Sequence, residues 1–327
     1  MPTRTPTVTL DWDQLRAVVE AAVLAPSPHN TQPWVFRVSD TGILLFADRT
    51  RALPVTDPND RELTMSCGAA LFNLRLAVRE LGLHARVTLR NASDAPDLLA
   101  RIELCGRSET ERGPLAGLAA AITERHTYRG RFSGAPLPQD LPGRLIVAAD
   151  TEGASLIVVD DDERRSALAS LIVDADRLQF ADRRWRRELA AWTHPERVED
   201  GMTSSKLGPV VTRLASTPFG AQHDSGARDR SYVLGSPLLA VLRTPSDRPA
   251  DWLAAGQALQ RVMLTVAVDG VQVGLLNQPC QVPELRSGLR YLVEGAGYPQ
   301  AVLRMGYPVS RPRATPRRPL HDVLQLV

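Results

Sequence analysis

One ten-residue stretch, Ala25-Pro26-Ser27-Pro28-His29-Asn30-Thr31-Gln32-Pro33-Trp34, constrains this chain more than any other. Its three prolines fix φ and remove backbone donors, so no helix can run through it. Regular patterns stop on either side of it. Upstream, Asp11 and Gln14 form a capping pair ahead of Leu15, Val18, Val19, Ala22 and Val23 on one helical face, which Pro26 ends. Downstream, Trp34 to Val38 alternates as a strand, Ser39 to Gly42 supplies a turn, and Ile43 to Ala47 reads as the partner strand. In between, Ser27, His29, Asn30, Thr31 and Gln32 carry more donors and acceptors than a short backbone can use locally. Two readings fit these residues alone. One is a stiff loop that presents hydrogen bonds to a planar polar ligand; the other is a Pro-rich turn in which Asn30 caps the next element.

The stretch resembles the A-P-S-x-x-N-x-Q-P-W signature of the flavin-dependent nitroreductase family, in the His-Asn-Thr-Gln-Pro-Trp form of its Acg-like branch. In that family the loop lies along the isoalloxazine and ribityl parts of FMN. The resemblance therefore implies that Pro26, Ser27, Pro28, His29, Asn30 and Gln32 are cofactor-binding residues.

A chain of 327 residues is too long for one small core and calls for two domains or one fused double domain. The 43% apolar and 23% charged fractions are those of a water-soluble globular protein. A net charge of +2 makes no general case for nucleic acid or an anionic membrane. The histidines form no H-x-x-x-H or H-E-x-x-H spacing, so no metal site is expected. Cys67, Cys105 and Cys280 are far apart, odd in number and without C-x-x-C, which fits a reducing cytosol. No signal peptide or membrane-length apolar run is read, and the expected location is cytoplasmic.

From Arg61 to Leu81 the pattern is a long helix, apolar around much of its circumference and closed by Gly82, hence a buried central element. His84 to Arg90 and Ala100 to Cys105 read as strands. The segment from Gly68 to Gly82 lies over Gly256 to Gly270 at constant offset, with both glycine ends, the Ala-Leu pair and later Leu and Val coinciding. Shared composition of two buried helices is one explanation; an ancient fusion of two related halves is the preferred one. By resemblance, single-unit family members dimerise around FMN. The expected fold is accordingly α+β and nitroreductase-like, internally duplicated as a single-chain pseudo-dimer, with halves at 1–110 and 111–327.

A helix candidate from Arg112 to Arg125 runs into Arg125-His126-Thr127-Tyr128-Arg129-Gly130-Arg131-Phe132. Two arginines at i and i+4 with a hydroxyl between them suit a phosphate dianion, and equally suit a solvated basic turn at a helix end. The run resembles the family's R-[RH]-[ST]-x-[RK]-x-F phosphate element, which implies Arg125, Thr127 and Arg129 as ligands of the FMN phosphate. Ser155 to Val159 reads as a strand, and Asp161 to Trp192 as one long helical region with Leu168, Leu171, Ile172, Ala175 and Leu178 inward. Residues 193–235 form a long Gly/Pro/Ser/Thr-rich stretch, either a lid or a bland excursion. Leu238 to Arg243 is a strand, Pro249 to Gly270 the second core helix and Ala301 to Pro308 a closing strand. By resemblance, Leu276 and Asn277 approach the flavin ring and Arg317 reaches the phosphate. The Pro-interleaved Arg311, Arg313, Arg317 and Arg318 lack aromatics and make only a weak nucleic-acid signal.

The loop signature occurs only in the first half and the arginine signature only in the second, so one complete site and one FMN per chain are expected. The function expected is an FMN-dependent oxidoreductase passing hydride from NAD(P)H to a small-molecule acceptor such as a nitro compound or quinone. The competing reading is an FMN-sequestering or storage protein with an occluded flavin, and a third is an α+β binding module without flavin. No catalytic acid or base is singled out, and the working unit is a monomeric pseudo-dimer or a homodimer of it. No G-x-G-x-x-G follows a strand, so no dinucleotide-binding Rossmann domain is implied.

Overall fold

The computed structural model describes residues 8–39, 42–90, 94–106, 115, 117–193, 196–202 and 230–326. The chain begins α1 (Trp12–Ala22), β1 (Trp34–Ser39), β2 (Gly42–Ala47), α2 (Arg61–Glu80), β3 (His84–Leu89) and β4 (Leu98–Cys105). It then repeats that order. α3 (Leu141–Thr151) leads into β5 (Ser155–Val158), after which α4 (Asp162–Ala181) and α5 (Arg183–Trp192) are inserted. β6 (Leu238–Thr244), α6 (Pro249–Val268), β7 (Gln272–Leu275), α7 (Pro283–Leu292) and β8 (Tyr298–Gly306) complete the second unit. One sheet runs β3-β4-β2-β1, the other β7-β8-β6-β5, all antiparallel and in corresponding order. The architecture is α+β and duplicated. A final strand, β9 (Leu324–Leu326), returns from the C-terminal end and pairs parallel with β1, at the edge of the first sheet.

Local chemistry explains the elements. Asp11 and Gln14 form the expected capping box: the Gln14 amide donates to Asp11 Oδ1 at 2.9 Å and the Asp11 amide to Gln14 Oε1 at 3.1 Å. α2 and α6 end alike, because Gly82 and Gly270 both sit at φ 73. The two amides after each helix fold back, Leu83 onto the Val78 carbonyl and Val271 onto the Val266 carbonyl, closing the same glycine-based cap.

These two helices cross at the centre through glycine. A Cβ on Gly68 would stand 2.2 Å from the Leu253 carbonyl oxygen, and one on Gly256 would stand 2.0 Å from that of Met65. The two contacts are reciprocal, each helix presenting the same position to the other, which is how a twofold interface is built. Every residue of α2 from Arg61 to Leu74 is buried. Across the seam Gln260 Nε2 donates to Asn73 Oδ1 at 2.7 Å, and Asn73 Nδ2 donates to the Ala21 carbonyl at 3.0 Å.

Some expectations shift. The single helical region over 161–192 is two helices, broken at Asp182, whose carboxylate caps α5 by accepting from the Arg184 amide at 2.7 Å. Leu178 faces outward and is 43% exposed. α3, α7 and the strand β9 are elements the pattern did not suggest. The helix expected from Arg112 is present at Ala121–Glu124, and its expected start lies outside the described residues. So do 203–229, which form most of the expected lid.

The seam gives a direct test. Gly256→Ala must push backbone apart and should cost about 2–3 kcal/mol. Gly82→Ala, where nothing lies within 4 Å of the added methyl, should cost about 1 kcal/mol from backbone conformation alone. Urea midpoints read the difference; equal costs would mean the crossing is not tight.

Candidate functional site

The chain leaves α1 through an eleven-residue connection, Val23 to Pro33, before β1 begins. Pro28–Asn30 makes a single 3₁₀ turn. His29, Asn30 and Gln32 all have positive φ, at 50, 57 and 52. Three non-glycine residues so close together in the left-handed region are costly, by roughly 1 kcal/mol or more each, and must be held from outside. They are. Ser27 Oγ accepts from the Gln32 amide at 2.9 Å. Asn30 Nδ2 donates to the Pro316 carbonyl at 3.2 Å. Gln32 is fully buried, its Nε2 donating to the Glu199 carbonyl at 2.9 Å and its Oε1 accepting from the Arg318 amide at 2.9 Å. Gln32 thus ties together the loop, the C-terminal tail and the segment 199–202. Arg51 adds a hydrogen bond to the Thr31 carbonyl and an ion pair with Asp200.

Cations converge on the end of α1. Arg317 donates from Nε to the Val23 carbonyl at 2.6 Å, and from Nη2 to those of Leu24 and Ala25 at 2.9 and 3.3 Å. Arg125 donates from Nη2 to the Leu24 carbonyl at 3.0 Å. A helix C-terminus welcomes positive charge, so both arginines have a local reason to sit there. That does not account for the rest of Arg125. The residue is 5% exposed, yet its Nε and Nη1 are buried without a partner. Burial, with the charge of Arg317 added, pulls the guanidinium down to about 9. It remains a cation at neutral pH, and among the described residues no carboxylate pairs with Arg125, Arg129 or Arg317.

Arg129 opens to solvent beside this pair, with Met202 Sδ 3.8 Å from its Nη2. His29 lies near it: burial and the Arg129 charge lower the imidazole to about 4, so the ring is neutral. Its Nε2 is closed off from water and has no partner. The chain through 125–129 is held in place by β7. Thr127 forms a bridge with Val273, the Tyr128 amide donates to the Val273 carbonyl at 2.8 Å, and the His126 amide donates to Gln272 Oε1 at 2.9 Å. Ser27, His29, Arg125, Arg129 and Arg317 are therefore brought together from three distant parts of the sequence. Of these groups, His29 Nε2 and Arg125 Nε and Nη1 are the buried ones without a partner, and buried cationic donors left open are costly unless an anion meets them.

Leu276 and Asn277 follow β7 directly, but their polar groups point into the protein. The Leu276 amide donates to the Val302 carbonyl at 2.9 Å. Asn277 Oδ1 accepts from the Val302 amide at 3.0 Å, and its Nδ2 donates to Glu62 Oε1 at 3.2 Å. Glu62 and Arg61, buried together at 3.1 Å, form a network here that the sequence reading did not pick out. Gln281 Nε2 donates to Glu62 Oε2 at 2.8 Å, and Arg61 Nη1 donates to the Gln300 carbonyl at 2.7 Å. A charged pair at the start of an otherwise apolar helix was the available signal. The segment Glu199–Met202, part of the 193–235 stretch read as a lid or a bland excursion, packs on the loop; its Gly201 amide donates to the Asn30 carbonyl at 3.3 Å.

All three cysteines are buried thiols, and burial pushes Cys280 up to about 11. Among the described residues no group of three or more His, Cys, Asp or Glu side chains could hold a metal ion. No described helix is long and apolar enough to cross a membrane.

Comparison with known proteins adds the following. No family model matches the sequence. The chain is 33% identical over 335 residues to the putative NAD(P)H nitroreductase Rv3131 of Mycobacterium tuberculosis H37Rv, covering 96% of this chain and 92% of that protein. It is 30% identical over 335 residues to the putative NAD(P)H nitroreductase Acg of the same organism, covering 98% of both. Among solved structures, the FMN and NADPH-dependent nitroreductase NfnB of Sphigopyxis sp. strain HMH matches 63% of this chain and 97% of its own, at 18% identity and TM-score 0.43.

His29 supplies a pH test of the site. An unfolded chain protonates this histidine near pH 6.5, while the fold holds it to about 4. Between those values the unfolded state binds more protons, so stability falls as pH drops from 6.5 towards 4. His29→Asn, which tolerates positive φ, should flatten thermal stability across that window; an unchanged slope would show that His29 is not the titrating group.

Proposed function

The chain belongs to the family of the putative NAD(P)H nitroreductases Rv3131 and Acg, and we propose that it is an FMN-dependent oxidoreductase of that kind. The observation that carries this reading is the pair of buried Arg125 and half-buried Arg317, which among the described residues meets no carboxylate, with His29 and Arg129 close to each other on the adjoining segments. In our reading Arg125, Arg129 and Arg317 hold the FMN phosphate, and the Thr127 hydroxyl supports them. Pro26, Ser27, Pro28, His29 and Asn30 line the remainder of the cofactor. Gln32 serves by fixing the loop's shape, since its amide is spent on Glu199, Asn30 and Arg318.

FMN, when bound, supplies the ring chemistry that accepts hydride from NAD(P)H and passes electrons to a small-molecule acceptor. The protein's part is position and charge. Arg125 and Arg317 neutralise the phosphate without a competing carboxylate, and the α1 carbonyls fix where they stand. Leu276 and Asn277 form the wall after β7, kept rigid by Glu62 and β8.

One FMN per chain follows from an asymmetry between the units. α1 and β1 are separated by the eleven residues of the polar loop, whereas α3 and β5 are joined by three, Glu152–Ala154. The mirror position therefore has, among the described residues, no equivalent connecting loop with which to line a flavin. We propose the units themselves as residues 1–110 and 111–327, with β9 exchanged onto the first.

A second reading is favoured by one observation. Glu199–Met202 sits directly on the loop, latched by Asp200 to Arg51 and Arg197. A chain seated there suits a protein that sequesters FMN rather than turning it over.

Anaerobic titration of the purified protein with NADPH and then NADH separates the two. About one FMN per chain that bleaches promptly is the expected result; flavin that stays oxidised would favour sequestration. Arg125→Ala with Arg129→Ala should abolish flavin retention while leaving the circular dichroism spectrum unchanged. Full occupancy in that variant would overturn the phosphate assignment.

A further inference from the structure

Two neighbouring segments carry far more positive charge than one phosphate can use. Residues 125–139 contain Arg125, Arg129 and Arg131, and residues 295–319 contain Arg304, Arg311, Arg313, Arg317 and Arg318; neither contains an aspartate or glutamate. The segments run antiparallel to each other. Phe132 bridges Pro308, the Ser133 amide donates to the Tyr307 carbonyl at 2.8 Å, and the Val309 amide donates to the Arg131 carbonyl at 3.3 Å. Tyr128 Oη lies 3.1 Å from Ser310 Oγ, so the pairing continues toward the arginine site. Continued two residues further, this register sets Arg311 opposite Arg129.

The buried arginines of this set have local work. Arg304 Nη2 donates to the carbonyls of Tyr128 and Gly130 at 3.1 and 2.9 Å, holding the first segment against β8. Arg317 is anchored at the end of α1 beside Arg125, and Arg318 pairs with Asp48 at 3.3 Å. The exposed ones have none. Arg131, Arg311 and Arg313 all face solvent, and among the described residues none of them meets a carboxylate or spends its guanidinium on a backbone carbonyl. Arg131 lies within the paired stretch, opposite Val309, and Arg129 before it and Arg311 and Arg313 beyond Val309 lie along the chain toward the same end.

We propose that Arg131, Arg311 and Arg313 bind a second phosphate group, the 2′-phosphomonoester of NADPH, and so make this chain prefer NADPH to NADH. The proposal rests on the nicotinamide-dependent reading above. The two donors differ only in that group, which is dianionic near neutral pH and accepts several forked guanidinium donors at once. A patch without internal carboxylates has nothing to displace when such a dianion arrives. A single interior phosphate, already provided for by Arg125 and Arg317, leaves this outer charge unused.

Two measurements on the flavin-loaded protein test it. The first is kcat/KM for NADPH and NADH in wild type and in Arg131→Ala, Arg311→Ala and Arg313→Ala, singly and combined. The triple variant should lose tenfold or more for NADPH, mostly through KM, while NADH changes less than twofold. Equal loss with both donors, or no loss, overturns the proposal. The second does not require turnover: calorimetric binding of adenosine 2′,5′-bisphosphate against adenosine 5′-monophosphate. The bisphosphate should bind at least tenfold tighter to wild type and lose that advantage in the triple variant. Equal binding of the two, or displacement of the bisphosphate by short RNA at similar concentration, marks a non-specific polyanion surface and overturns the proposal. Selective bisphosphate binding by a protein whose flavin NADPH does not reduce would fault the oxidoreductase reading and leave this one standing.

Discussion

The close approach of α2 and α6 at Gly68 and Gly256 is the constraint on which the rest depends. Side chains at either position would drive the helices apart, because the groups in the way are backbone carbonyls that cannot rotate aside. With the backbones touching, the flanking apolar faces become a shared interior: Leu63, Leu71 and Leu74 join the first sheet, and Ala258, Val262 and Val266 join the second. The reciprocal geometry also fixes where the other elements fall. α1 and α3 pack on equivalent sides of the helix pair, and their C-terminal ends become equivalent places in the fold. A site built at one of those ends therefore has a structural counterpart at the other.

Much of this was legible in the sequence because it depends on local rules. The Asp11–Gln14 capping box, the Pro26 stop, the Gly82 and Gly270 caps and the alternation of β1 and β2 are each set by a few adjacent residues. The duplication was legible because both central helices must meet the same steric demand, and that demand left glycines at matching positions. What escaped was set by distant partners. β9 is too short to declare itself and exists as a strand through β1. The break at Asp182 converts one continuous pattern into two helices by a side-chain cap. Leu178, apolar and in helical register, lies outward in the last turn of α4.

The candidate site was legible as segments for the same reason, and the roles of its side chains were not. The loop and arginine motifs picked out segments that the fold brings together: His29 lies by Arg129, and Arg125 and Arg317 share the end of α1. The motif could not separate the residues left with unpartnered donors from those that hold the loop. Gln32 sits in the signature beside Asn30, yet its whole amide is consumed in binding Glu199, Asn30 and Arg318. Asn277 is similarly committed to Glu62 and Val302. Such roles depend on which carbonyl lies opposite, and that is a property of the tertiary fold. A strained loop with three left-handed residues needs these holders before it can present anything.

The two helix ends differ in how their charge is balanced. At the end of α3, Arg75 and Arg261 approach the buried Glu152 at 2.6 and 2.8 Å, and the positive charge is neutralised from within. At the end of α1, Arg125 and Arg317 meet no such carboxylate among the described residues. An arginine pair without a carboxylate costs the ligand-free state stability, which an anion bound there would return. The asymmetry of the duplicated chain is in this sense electrostatic before it is geometric. One end completes its own charge balance and admits only three connecting residues. The other keeps the balance open among the described residues, and on the function proposed above that opening is where the cofactor phosphate would be held.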